Sequence, residues 1–275
     1  MFLCLFSMSI FVSGREIIYP KPESSFDERT RYPVKMLHLA IRKAGQNLVI
    51  KPSNKLMTQG RALLQLSKGL DVDVVWTMTS KEREAMLEPI RIPIYKGLIG
   101  WRLFLIEQSY EDAFFQAETT FDLKSYRLIQ GHDWPDTEIL RSNGFDVVGA
   151  PYYSTIFDMV VGGRADLFPR SIVEIWDEAR IQASKRIVVE SNHLVRYPTA
   201  FYFFVNKDDR ALKKLLEDGL LKAIKDGSFD QMFYEQHQQY LDQADLTNRI
   251  IHDLDNPLLP ALTPLENKNY WFSIK

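Results

Sequence analysis

Arginines and aromatic residues recur at four places where an apolar run gives way to a turn, and that pairing suits recognition of a small charged molecule. Trp76-Thr77-Met78-Thr79-Ser80-Lys81-Glu82-Arg83 follows one run, and Gln130-Gly131-His132-Asp133-Trp134-Pro135-Asp136-Thr137 follows another. Tyr152-Tyr153-Ser154 follows a third, and Phe168-Pro169-Arg170-Ser171 a fourth. An arginine fork donates two parallel hydrogen bonds to a carboxylate, while Trp and Tyr offer a stacking wall with a polar handle. On residue type alone, ion pairing competes with binding for Arg83 and Arg170, and core packing competes for Trp76 and Trp134. The chain has no G-x-S-x-G, H-E-x-x-H, G-x-G-x-x-G or G-x-x-x-x-G-K-[ST], so the usual hydrolase, zinc and nucleotide signatures are missing. His38, His132, His193, His237 and His252 are far apart, with no pair at metal-ligand spacing on a helix. Of these, only His132 falls at a strand-to-helix turn, where a binding role competes with the more common one of a surface residue.

Those residues sit in a chain of 275 residues, 45% hydrophobic and 25% charged, enough to bury a core in one large or two smaller domains. The 34 basic and 36 acidic residues leave a net charge of −2 with no basic cluster, which sets nucleic acid aside as a partner. Residues 1–14, opening MFLCLFSMSIFV and ending Ser13-Gly14 before Arg15, read as an export signal, and the expected location is periplasmic. The only cysteine, Cys4, lies within that segment, so the remainder has no disulfide framework or thiolate metal site. No cofactor is expected.

Apolar strand-like runs alternate with amphipathic stretches, predicting an α/β protein with mostly parallel sheets. Strands are predicted at 16–19, 48–50, 72–76, 127–130, 146–148, 166–168, 187–189 and 201–205, with long extended stretches at 90–94 and 99–106. Helices are predicted at 33–44, 61–68, 135–142, 155–161 and 211–225, and a short one from Thr79 or Ser80. The stripe Leu212, Leu215, Leu216, Leu220, Ala223 and Ile224 is read as core. The tail, with Pro257, Pro260 and Pro264, is expected to pack irregularly. Two such successive units, with a strand and helices returning at the end, imply two lobes and a cleft, where ligands gather at strand ends and helix N-termini.

From about Ile17 to about Tyr234 the sequence resembles the bacterial extracellular solute-binding proteins of family 3, which serve polar amino-acid uptake through ABC transporters. The likeness rests on Leu63 to Ile94, where a helix and Gly69 precede an Asp, an apolar strand, a hydroxyl-rich turn and Glu82-Arg83, and on Val160-Val161-Gly162-Gly163-Arg164-Ala165-Asp166-Leu167-Phe168. The resemblance implies the two-lobed periplasmic-binding-protein-like fold (type II), each lobe a sheet flanked by helices, closing on its ligand by hinge motion. It implies lobe 1 at 15–104 plus 199–275 and lobe 2 at 105–198, with Ile99 to Ile106 and Leu194 to Phe201 as the crossings. It also implies a monomer that binds a small-molecule ligand and serves a membrane permease or sensor partner. Arg83 takes the position of the arginine that clamps the ligand's α-carboxylate. Met78 stands where the family has a small hydroxyl residue, flanked by Thr77 and Thr79, and Asp133 stands where it has a threonine. Ser171 stands where it has the amine-binding aspartate, beside Arg170, so the ligand is expected to carry a further acidic group that Arg170 meets.

The expected function is therefore capture of a small polar or acidic, amino-acid-like solute for transport, without catalysis. The expected ligand-binding residues are Arg83, Arg170, Trp76, Thr77, Thr79, Asp133, Trp134, Thr137, Tyr153 and Ser171, with no metal. A periplasmic sensory ligand-binding protein would use the same cleft. A dehydratase-like enzyme on the same scaffold would need an acid or base there, for which Asp133, His132 and Glu174 are the candidates.

Overall fold

The structure, a computed structural model, describes residues 14–22, 27–114 and 116–274. Apart from Gly14, the expected export segment at 1–14 lies outside the described residues, as does Cys4. β1 (Glu16–Tyr19) pairs in parallel with β2 (Val49–Pro52) across α1 (Arg31–Lys43). α2 (Gln59–Ser67) leads into β3 (Val74–Met78), the short α3 (Lys81–Met86) and β4 (Glu88–Ile90). β5 (Trp101–Glu107) carries the chain into α4 (Glu111–Phe114), α5 (Thr120–Leu123), β6 (Arg127–Gly131), α6 (Pro135–Ser142), β7 (Asp146–Ala150), α7 (Tyr153–Val161), β8 (Phe168–Ser171), α8 (Ile175–Ile181) and β9 (Ile187–Val189). β10 (His193–Arg196) returns it to β11 (Phe201–Val205), α9 (Arg210–Lys225), α10 (Ser228–Ala244) and β12 (Ile250–Asp253).

All five residues of β3 are buried, as an uninterrupted apolar run with cover on both faces requires. Val75 packs with Leu63, Leu66, Tyr202 and Phe204 on one side, while Val74, Trp76 and Phe203 join the main core on the other. The predicted stripe on α9 is core: Leu212, Leu216, Leu220 and Ala223 are buried, with Leu215 and Ile224 packed at its margin. α9 lies so close to α1 that a side chain at Gly219 would run into the Ala40 carbonyl.

Three expectations are corrected. The sheets are not mostly parallel: β11 runs antiparallel to β3 and β4, and β5 antiparallel to β8, β9 and β10. Apolar alternation marks a strand but carries no direction, and these pairs arise where the chain leaves and returns side by side. The extended stretch at 90–94 stops at Ile90, because Pro93 has no N–H and Ile92 N donates back to the Ile90 carbonyl (2.7 Å). The strand expected at 166–168 runs from Phe168 to Ser171, placing Arg170 within a ladder opposite Leu103. The 17-residue α10 was not foreseen; its buried Phe229, Phe233, His237 and Leu241 recur every four residues in a glutamine-rich segment.

Two segments far apart in sequence run side by side. Arg102 pairs with Val195 and Trp101 with Arg196, and Tyr197 N donates to the Gly100 carbonyl (3.1 Å). A side chain at Gly100 would meet the Tyr197 carbonyl and Thr199, so these segments touch backbone to backbone. Nearby, His193 Nε2 lies 3.0 Å from the Phe114 carbonyl, His193 Nδ1 3.1 Å from His252 Nε2, and His252 Nδ1 2.9 Å from Thr120 Oγ1. A carbonyl only accepts, so His193 donates to it from Nε2, His252 donates to His193, and Thr120 donates to His252. Among the described residues, no helix is long and apolar enough to cross a membrane.

Two predictions follow from this packing. Gly219→Ala should lower the unfolding free energy by about 1–3 kcal/mol in urea melts, since α1 and α9 must part to admit a methyl group. Burial, then His193, pushes His252 down to about 4, and burial pushes His237 down to about 3. The unfolded chain therefore binds protons that the folded chain refuses. Stability is full above about pH 6.5 and falls toward pH 4, by on the order of 1–2 kcal/mol per histidine between pH 6.5 and pH 5. Urea midpoints at pH 7 and pH 5 measure this, and His252→Gln should lessen the slope.

Candidate functional site

Beside the start of β5 lies a cavity of about 120 Å³, walled by strand ends, helix starts and the segment after β1. By volume it holds roughly eight to twelve water-sized positions. Its aromatic wall is Trp76, Trp134 and Phe201. Trp76 is fixed by Tyr19 at 5.4 Å and the edge of Phe203 at 6.2 Å. Trp134 caps α6 and stacks toward Phe168 at 6.5 Å.

The charged wall is a connected chain. Arg102, near the start of the apolar β5, bonds Asp136 in the first turn of α6 (2.5 Å), and Asp136 also accepts from the Tyr197 hydroxyl. On its other side Arg102 is 3.9 Å from Glu174, which is 3.1 Å from Arg170. Arg170 forks onto Glu178 through Nε and Nη2, both at 2.7 Å, and Glu178 accepts from the Tyr153 hydroxyl (2.8 Å). Burial opposes the charge on Arg170, but Glu174 and Glu178 outweigh it and hold its pKa above the ordinary value. Burial pushes the Glu174 carboxyl up, with Arg170 pulling against it. One buried polar atom in this wall, Arg102 Nε, has no hydrogen-bond partner, and Glu174 Oε2 has only its ion contacts to the two arginines. Asp27 and Arg29 complete the wall, joined by two 2.7 Å bonds.

Of the expected site residues, Arg170, Trp76, Thr77 and Trp134 line this cavity. Arg83 stands just behind it, held by the Ser80 cap of α3. Its Nη1 donates to Thr77 Oγ1 (2.5 Å) and the Met78 carbonyl (3.0 Å), and its Nη2 to Gln59 Oε1 (2.7 Å) and the Asp133 carbonyl (3.0 Å). Burial lowers its pKa to about 10, which leaves it charged at neutral pH. The fork expected to clamp a carboxylate thus ties α2 and β3 to the turn before α6. Asp133 strengthens that tie by accepting from Gly60 N (2.8 Å). The structure does not bring Thr79, Thr137 or Ser171 to the cavity: their hydroxyls donate to Glu84 (2.7 Å), the Gly131 carbonyl (2.8 Å) and the Leu98 carbonyl (2.8 Å). Tyr153 faces a neighbouring, smaller cavity. His132 is exposed, its Nδ1 3.1 Å from the Ala150 carbonyl.

Arg102, Asp136, Gln59, Asp27 and Arg29 were missed, and Glu174 was considered only as an acid or base. Arg102 had a legible signal, a lone charge within Leu98-Ile99-Gly100-Trp101-Arg102-Leu103-Phe104-Leu105-Ile106, since a strand buries such a residue only with a partner. Asp136 reads as an ordinary first-turn acid, so nothing local separated it. Among the described residues, no cluster of three or more His, Cys, Asp or Glu could hold a metal ion.

No protein-family model matches the sequence, and no curated protein matches it. Solved structures do match the fold. An ancestral arginine-binding protein bound to arginine superposes with a TM-score of 0.60 at 14% identity, covering 80% of this chain and 96% of that one. A periplasmic binding protein of Salmonella typhimurium with high arginine specificity gives 0.61 at 14% identity, covering 82% and 100%. A histidine kinase sensor domain similar to periplasmic binding proteins gives 0.59 at 17% identity, covering 81% and 96%. The chain has the two-lobed periplasmic-binding-protein-like fold.

Removing Arg170 leaves Glu178 buried without its counter-charge and Glu174 with only the more distant Arg102. Arg170→Ala should therefore cost about 3–5 kcal/mol of unfolding free energy, whereas the apolar pair Arg170→Met with Glu178→Leu should cost far less. Urea melts of the single and double variants measure the difference.

Proposed function

We propose that the protein is a non-enzymatic binding protein that captures a small zwitterionic, amino-acid-like solute in this cleft. The observation that carries the reading is the buried Arg102 Nε donor, which has no hydrogen-bond partner, close to Glu174 Oε2, which is held by ion contacts to Arg170 (3.1 Å) and Arg102 (3.9 Å) alone. Buried polar groups are nearly always hydrogen-bonded, and a zwitterion offers an acceptor to the first and a donor to the second. The walls are otherwise self-paired, so the ligand need bring no large net charge. A further acidic group would find the Arg170 fork already engaged by Glu178.

The division of the chain into 15–104 plus 199–275 and 105–198 puts Trp76, Thr77 and Gln59 on one lobe and Trp134, Asp136 and Arg170 on the other. Closure then folds aromatic faces over the solute, and the Arg83–Asp133 contact spans the two lobes. A monomer delivering the solute to a membrane permease, exported by the segment at 1–14 to a periplasmic location, fits this arrangement. The likeness to a histidine kinase sensor domain favours a second reading, in which the same cleft reports to a signalling partner. Catalysis is disfavoured because His132 and Asp133 lie outside the cavity wall and Glu174 is held between two arginines.

A thermal-shift panel of free amino acids, dicarboxylates and sugars tests the reading. A bound zwitterion at 100 times its Kd should stabilise the protein by about 2.7 kcal/mol, a rise of several degrees in Tm. Glu174→Gln should abolish most of that rise. A response to sugars alone, or to no zwitterion, would overturn the reading.

A further inference from the structure

After α10 the chain lays β12 beside β10 and then turns away along a segment held by two helices. Arg196 forks onto Asp253 (2.6 and 2.9 Å), and Leu254 N donates to the Arg196 carbonyl (2.8 Å). Asn143, which caps the end of α6, clasps both backbone groups of Asp255: its Nδ2 donates to the carbonyl (2.8 Å) and its Oδ1 accepts from N (3.1 Å). Asn256 Nδ2 donates to the Pro198 carbonyl (2.8 Å). The next two residues are held by a different element. Lys81, the first residue of α3, donates from Nζ to the Pro257 carbonyl (2.8 Å) and from N to the Leu258 carbonyl (3.0 Å).

This link is short and stiff. From Asp255 to Leu258 even a fully extended chain spans at most about 11 Å. Pro257 has its own φ fixed, and Leu258 N turns back onto Asn256 Oδ1 (3.0 Å). No slack can be drawn from the far end of the tail: Phe272 N donates to the Lys96 carbonyl (2.8 Å), Lys96 Nζ donates to the Asn269 carbonyl (3.0 Å), and a side chain at Gly97 would run into Trp271. The two helices so joined also frame the larger cavity. Trp134, Pro135 and Asp136 at the start of α6 line it, and Arg83 on α3 donates to the Asp133 carbonyl just before α6 (3.0 Å). α3 and α6 are thus tied twice, before α6 by Arg83 and after it by the tail.

We propose that residues 255–258 are a strap that holds the two lobes closed before any solute arrives, so that the cleft admits a solute when the strap releases one side. This inference rests on the lobe division proposed above. Under that division Asn143 and Pro198 belong to one lobe and Lys81 to the other, and a hinge opening that draws Asn143 away from Lys81 breaks one of the two anchors. Asn143 is a positioning residue for the cleft and makes no contact with the solute.

Electron-spin distance measurement on the full chain, with no solute added, tests the strap. Labels go on Arg61→Cys and Tyr152→Cys, exposed positions on the two proposed lobes, in a Cys4→Ser background. With the strap intact a single short distance should dominate. Asn143→Ala should add a longer-distance population, raising the open-to-closed ratio roughly tenfold for two lost hydrogen bonds. Lys81→Ala should move it in the same direction by less. The double variant should open little beyond Asn143→Ala, because a strap cut at one end carries no load at the other. Urea melts show which variants are folded, and Lys81→Ala carries the test should Asn143→Ala fail to fold. An unchanged distance in the folded variants would overturn the strap, as would a double variant whose ratio is the product of the two single effects. Neither result depends on the zwitterion reading, which the thermal-shift panel tests separately.

Discussion

The cleft depends on one constraint, the need to keep several charges out of water without leaving any of them alone. A buried ion loses several kcal/mol of hydration, and that loss is offset only by good geometry and further hydrogen bonds. The chain from Tyr197 through Asp136, Arg102, Glu174, Arg170 and Glu178 to Tyr153 meets the requirement link by link. Its members come from β5, the residue after β10, α6, α7, β8 and α8 with its cap, so the network fixes how those elements sit. Within it Arg102 Nε is left without a hydrogen-bond partner, and Glu174 Oε2 is held by the two arginines alone.

The same constraint explains why Arg83 is not a free carboxylate clamp here. Its guanidinium is buried, and protein acceptors on α2, β3 and the turn before α6 take up both terminal nitrogens. The interaction draws opposing walls together and orients Gln59 and Thr77, which do line the cavity. Arg83 thus bears on the site through the residues it holds.

Much of the architecture was legible in the residues. The strands at 16–19, 187–189 and 201–205 and the helix at 135–142 fall where alternation, Pro135 and the Gly144 stop put them. The α9 stripe also faces the core, because amphipathic spacing is a local property that tertiary packing seldom overrides. Strand direction was not legible, and neither was α10, whose apolar stripe is diluted by Gln231, Gln236, Gln238 and Gln239.

The site divides in the same way. Residue type alone marked Trp76, Thr77, Trp134 and Arg170, since arginines and tryptophans after strands are informative wherever they occur. Thr79, Thr137 and Ser171 were equally plausible in one dimension, yet each turns its hydroxyl to a neighbouring acceptor. Local spacing cannot say which way a hydroxyl points. Arg102, Asp136 and Glu174 come from a crossing strand, a helix start and a turn, brought together only by folding. The sequence alone determined that the chain alternates strands and helices around an apolar core and carries arginines and aromatics at strand ends. The tertiary structure decided which charges pair and that Arg102 Nε is left without a partner, because pairing is settled by distances between segments far apart in the chain.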